Sequence, residues 1–150
     1  MKQAPFKFEL ESVLRIRASE TERARIVAET AARRVEEQQG AIDVLEATLH
    51  KSTAAASESG GPGALQRLRR RSAHESQIRA ELERAVRILR RLESEKDEAF
   101  AKVLACRMRE ESIAKLKEQA YDKYRRELEK AEINLADELT QFGLARAQKR

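Results

Sequence analysis

A four-three rhythm of apolar residues on both sides of a single glycine-proline break constrains this chain more than any other feature. The break is Ser59-Gly60-Gly61-Pro62-Gly63. Before it, apolar or small residues recur at Leu10, Leu14, Ala24, Ala28, Ala31, Val35, Ile42, Leu45 and Leu49, with Arg17, Thr21 and Gln38 in the intervening steps. After it, the rhythm runs through Ile78, Leu82, Ala85, Leu89, Leu92, Ala99, Val103 and Cys106. Alternating steps of three and four keep one stripe on one helix face, the seam of a coiled coil. The fold class that follows is all-α: two long helices in an antiparallel coiled-coil hairpin, the second the longer. Such a fold is expected to leave no room for a pocket, so contact with other macromolecules is the expected mode of action.

Composition supports the same architecture. Charged residues make up 38% of the chain and aromatics 4%, with no Trp, a profile of long solvated helices rather than of a thick core. Residues 1–59 hold 9 Lys+Arg and 10 Asp+Glu, and residues 60–150 hold 22 and 16. The basic second half hints at an acidic partner. One cysteine excludes an internal disulfide and suits a reducing compartment. No apolar run reaches the ~20 residues needed to cross a bilayer. The N-terminus lacks the apolar core of a signal peptide. The expected location is the cytoplasm.

Taken in order, the spacing predicts a single hairpin over residues 1–150: a leading segment, helix one over 8–52, a turn over 53–63 and helix two over 64–142. Gly40 weakens helix one by ~1 kcal/mol relative to Ala. Pro62 suits the first turn of helix two, and Gly143 its end. Acid-before-base pairs four apart support the helices: Glu11–Arg15, Glu29–Arg33, Glu75–Arg79, Glu83–Arg87, Glu98–Lys102, Glu111–Lys115 and Asp122–Arg126. A short turn sets the expected register, in which Leu14 faces Val103, Val35 faces Leu82 and Leu49 faces Leu68. Thr21 would then meet Lys96 and Ile42 would meet Glu75, two imperfect layers. An alignment slipped by one heptad also fits the pattern, and the short turn argues against it. In the expected register helix one ends near residue 110 of helix two. The stripe Ile113, Leu116, Ala120, Tyr124, Leu128, Ala131, Leu135, Leu139 and Phe142 would then lack a partner, which marks a binding surface or a self-association seam.

Catalytic signals are weak. GGPG lacks the Lys-Ser/Thr that completes a phosphate loop. His50 and His74 flank the turn but are too few for a metal site. Cys106 falls on the seam and is expected as a small core residue. The run Arg67-Leu68-Arg69-Arg70-Arg71 has no interleaved aromatic, which favours a solvated face or an acidic protein over nucleic acid. Phe6 and Phe8 are expected to cap the open end of the hairpin. Tyr124 is expected on the seam and Tyr121 towards solvent.

The two ends carry a more specific signal. KFELESVLRIR, through Phe8, Leu10, Glu11, Val13, Leu14 and Arg17, resembles the N-terminal signature of the flagellar FliJ family. KLKEQAYDKYRRELEKAEINLADEL, through Leu116, Lys117, Glu118, Tyr124, Glu127, Glu129, Glu132, Asp137, Glu138 and Leu139, resembles that family's C-terminal stretch. The resemblance covers about half the chain, and Ile133 and Asn134 depart from the family's usual Gln and Lys. It implies a non-enzymatic component of the flagellar type III export apparatus, cytoplasmic and peripheral to the inner membrane at the flagellar base. Its implied partners are the hexameric export ATPase, the export gate membrane protein and export chaperones. The same reading implies a monomer, without cofactor, metal, nucleic acid or membrane insertion. Candidate partner-binding residues are Phe8, Leu10, Leu14, Arg17, Leu116, Tyr121, Tyr124, Leu128, Leu135 and Leu139. The alternatives are a general coiled-coil scaffold, a virulence-secretion stalk homologue and, more weakly, a nucleic-acid-associated coiled coil.

Overall fold

A computed structural model describes residues 5–55 and 61–147, with side chains through residue 141. The middle of the expected turn, residues 56–60, and the Phe142 side chain lie outside these. The fold is an all-α helical hairpin of two elements, α1 (Glu11–Ala54, 44 residues) and α2 (Ala64–Ala147, 84 residues). α1 starts at Glu11 rather than at Phe8, because residues 5–8 are non-helical and residues 9–10 form a turn. The Leu10 carbonyl accepts the first helical bond, from the Leu14 amide at 2.9 Å. α2 starts at Ala64 as expected, but it runs through Gly143 to Ala147. One glycine costs a helix only ~1 kcal/mol and does not oblige it to stop.

The reversal before α2 is a type II turn. Gly61 O accepts from Ala64 N at 3.1 Å, Pro62 is the second residue, and Gly63 has φ 78°. That third position requires positive φ, which glycine adopts without Cβ strain. Pro62 therefore belongs to the turn and not to the first turn of α2. The Gly63 carbonyl then accepts from Gln66 N and Arg67 N, each at 3.1 Å, and opens the helix.

The residues sort into two compact units, Glu22–Ala105 and Met1–Thr21 with Cys106–Arg150. In the Glu22–Ala105 unit, a four-three series of buried and half-buried residues runs on α1 from Ala24 to Ser52 and on α2 from Glu75 to Val103. Its best-buried members are Ala28, Ile42, Ile78, Ala85 and Ala99. Ser52 Oγ donates to Glu75 Oε1 at 3.1 Å, and Gln38 Nε2 donates to the Ala85 carbonyl at 3.0 Å. Counting heptads back from the Ser52–Glu75 layer sets Leu49 level with Ile78, Leu45 with Leu82, Ile42 with Ala85, Val35 with Leu92 and Ala28 with Ala99. Val35 is thus not level with Leu82, nor Ile42 with Glu75. The observed alignment lies about ten residues from the expected one, ~15 Å along the axis. Every layer is then filled: Ile42 meets the small Ala85, and Ala28 meets Ala99, which allows close backbone approach. Lys96 lies level with Ala31, where its stem can pack while its ammonium reaches water.

The surface ion pairs differ from those expected. Of the seven acid-before-base pairs, Glu75–Arg79 closes, at 4.0 Å. Base-before-acid pairs form instead at Arg25–Glu29, Arg91–Glu95, Arg107–Glu111 and Arg125–Glu129. Exposed pairs of either order contribute only a few tenths of a kcal/mol, so neither set decides the fold. Gly40 lies inside α1, is exposed, and has nothing within 4 Å of where a Cβ would stand. Gly40→Ala should raise stability by about 1 kcal/mol, read as a higher circular-dichroism melting temperature. A lower melting temperature would show that the helix needs the flexibility there.

Candidate functional site

The candidate site is built in the unit of Met1–Thr21 and Cys106–Arg150. The segment before α1 lies against α2. Phe6 packs edge-on to Tyr121, with ring centroids 5.3 Å apart at 82°, and tilted on Tyr124 at 5.5 Å. Edge-to-face geometry sets the positive ring edge of one aromatic against the negative face of the other. At the start of α1, Glu11 is clasped by Lys117 of α2 at 2.7 Å. Between these anchors lies an open cleft of about 440 Å³, floored by Pro5, Phe6, Phe8, Leu10, Ala120 and Tyr124. Its remaining lining is charged: Lys7, Glu9, Lys123 and Glu127.

The sequence-predicted residues separate into two groups. Phe8, Leu14, Arg17, Tyr124 and Leu128 are half-buried where the leading segment and α1 meet α2. Phe8, Leu10 and Tyr124 line the cleft, and Arg17 bridges to Glu20 at 2.8 Å on its own helix. Tyr121 is half exposed yet packed on Phe6, so it is a ring partner rather than a purely solvent-facing residue. Leu116 is not a seam residue, being 46% exposed. The three-four count from Ile113 falls on Lys117, which takes the seam place and reaches Glu11. The expectation that α2 is uncovered from about residue 110 is thus corrected: half-burial continues to Leu128. From residue 131 to 141 every residue is exposed, including Leu135 at 55% and Leu139 at 66%.

Sequence reasoning missed the roles of Phe6 and Lys117. A strict heptad count from Ile113 would have found Lys117; nothing in the spacing assigned Phe6 to the two tyrosines. His50 and His74 are exposed, and no group of three or more metal-ligating side chains gathers among the described residues. Cys106 is half-buried on the seam. No helix among them is long and apolar enough to cross a membrane.

A family model described as the flagellar FliJ protein matches residues 6–149. The chain belongs to the FliJ family. No curated protein and no solved structure gives a match. The FliJ match begins at Phe6, the residue that packs on Tyr121 and Tyr124, and takes in both helices and the glycine-proline break. It therefore extends the resemblance seen at the two ends across the middle of the chain. Membership in the FliJ family makes this a flagellar export-associated protein.

Proposed function

We propose that this FliJ-family chain is a non-enzymatic, stalk-like component of the flagellar type III export apparatus. It acts as a monomer at the flagellar base, peripheral to the inner membrane. It enters the ring of the hexameric export ATPase by the end that carries its leading segment and the C-terminal part of α2. Elsewhere it contacts the export gate membrane protein and export chaperones. The observation that carries this reading is the bare apolar stripe of α2 beyond Leu128, in the unit that holds both termini. A helix exposing Leu135 and Leu139, four residues apart on one side, to water has a face suited to a partner. Residues 127–141 carry Glu127, Glu129, Glu132, Asp137 and Glu138 against Lys130, so the matching ring surface would be apolar with a basic margin. A slender helix suits a ring channel, which a globular domain would not enter.

Fusions test the orientation. A globular domain fused to either terminus should abolish stimulation of the purified export ATPase, and swimming with it. An insertion within residues 55–62 should leave stimulation intact. Full stimulation by the terminal fusions, with loss on turn insertion, would reverse the orientation. If the unfused protein changed the activity of no export ATPase, the scaffold alternative would stand instead.

A further inference from the structure

We infer that a polar cluster at the α1 end, with Gln38, locks the Glu22–Ala105 unit in its register against a competing alignment of the same apolar seam. Arg71 is its centre. Its Nη2 donates to the Ser52 carbonyl, and also to the Thr53 carbonyl at 3.1 Å. These belong to the last turn of α1, where carbonyls have no helical partner and attract a cation. The Arg71 Nε also binds Glu75 Oε1 at 3.1 Å, and the same Glu75 oxygen accepts from Ser52 Oγ. Both charged side chains are only 17% exposed. One guanidinium thus closes the end of one helix and binds the carboxylate that the same helix's serine holds.

Apolar matching alone does not choose the register. About ten residues away, Val35 would meet Leu82, Leu49 would meet Leu68, and Ala28 would meet Leu89, all acceptable layers. A periodic seam tolerates such slips because each step restores much of the same pattern. The polar groups do not tolerate it. In the slipped alignment Glu75 falls beside Ile42, Arg71 leaves the end of α1, and Gln38 leaves the Ala85 carbonyl. The Arg71–Glu75 pair lies within α2 and survives the slip, but its bonds to Ser52 and Thr53 are lost, and a half-buried polar group left without its partner is costly. The cluster therefore acts chiefly by penalising the wrong alignment, as a single polar residue in a coiled-coil seam does. The arginine run beside the turn is accordingly not all solvated face. Arg71 is the register pin, and Arg67 Nη1 ties back to the Pro62 carbonyl at 3.0 Å.

Nitroxide pairs on exposed sites report the register without touching the seam. In a Cys106→Ser background, Glu37→Cys and Arg90→Cys place labels level with each other, and pulsed electron resonance should show one short distance. Adding Gln38→Leu, Ser52→Ala, Arg71→Leu and Glu75→Leu should bring in a second population displaced by ~15 Å along the axis, with helicity retained. A single unchanged short distance in that folded variant would overturn the proposal. Should it fail to fold, Gln38→Leu with Ser52→Ala decides, since Arg71 and Glu75 remain paired. There a minor second distance supports the lock, and one distance refutes it.

Discussion

Ile42→Ala should cost about 3 kcal/mol, the largest loss expected from one substitution in this chain. Ile42 is 3% exposed and sits level with Ala85, which is too small to fill the space left behind. The core is a single interface between two helices, with the small Ala85 at this level, so little can collapse into the cavity. The cost then combines lost transfer energy with an unrelaxed cavity. For a chain of this size that corresponds to a fall of roughly 10 °C in melting temperature. Thermal melts followed by circular dichroism measure it, with Val44→Ala as the control on an exposed residue of the same helix. Equal effects of the two changes would mean that Ile42 is not core and that the register assigned here is wrong.

Replacing Leu135 and Leu139 together by Ser should leave the melting temperature nearly unchanged and reduce stimulation of the export ATPase at least tenfold. Both leucines are exposed on a stretch of α2 that no described residue covers. Surface substitutions of this kind move stability by about 0.5 kcal/mol or less. If the stripe docks as proposed, the same leucines sit in a desolvated contact, where removing two anchors costs several kcal/mol of binding. The acidic margin adds a second readout: binding should weaken with added salt, and Glu132→Gln with Glu138→Gln should flatten that dependence. Unchanged stimulation by a folded Leu135→Ser, Leu139→Ser protein would remove the tail from the ring contact. A large thermal loss would show that these leucines are packed.

Much of the fold was legible in the sequence, because helix and seam are local properties. Three-four spacing identifies the buried stripe of each helix from residues within a few turns of one another, and Ala28, Ile42, Ile78, Ala85 and Ala99 all fall on it. The glycine-proline break marks the reversal for an equally local reason, the positive φ that Gly63 supplies. Family resemblance was legible at the two ends, where the distinctive residues lie.

Register was decided only in three dimensions. A repeating seam offers several alignments of similar apolar burial, and the choice falls to side chains whose partners are distant in sequence. Arg71 finds the end of α1, Gln38 finds the Ala85 carbonyl, and Lys117 finds Glu11 across 106 residues. No periodicity announces those meetings. The candidate site is decided in the same way within its own unit: with Lys117 on Glu11 and Phe6 laid on Tyr121 and Tyr124, half-burial on α2 continues to Leu128 rather than ending near residue 110. By itself the sequence determined that there are two helices, where they reverse and which faces meet. Tertiary structure alone decided which residues stand level, and so which apolar residues remain in water.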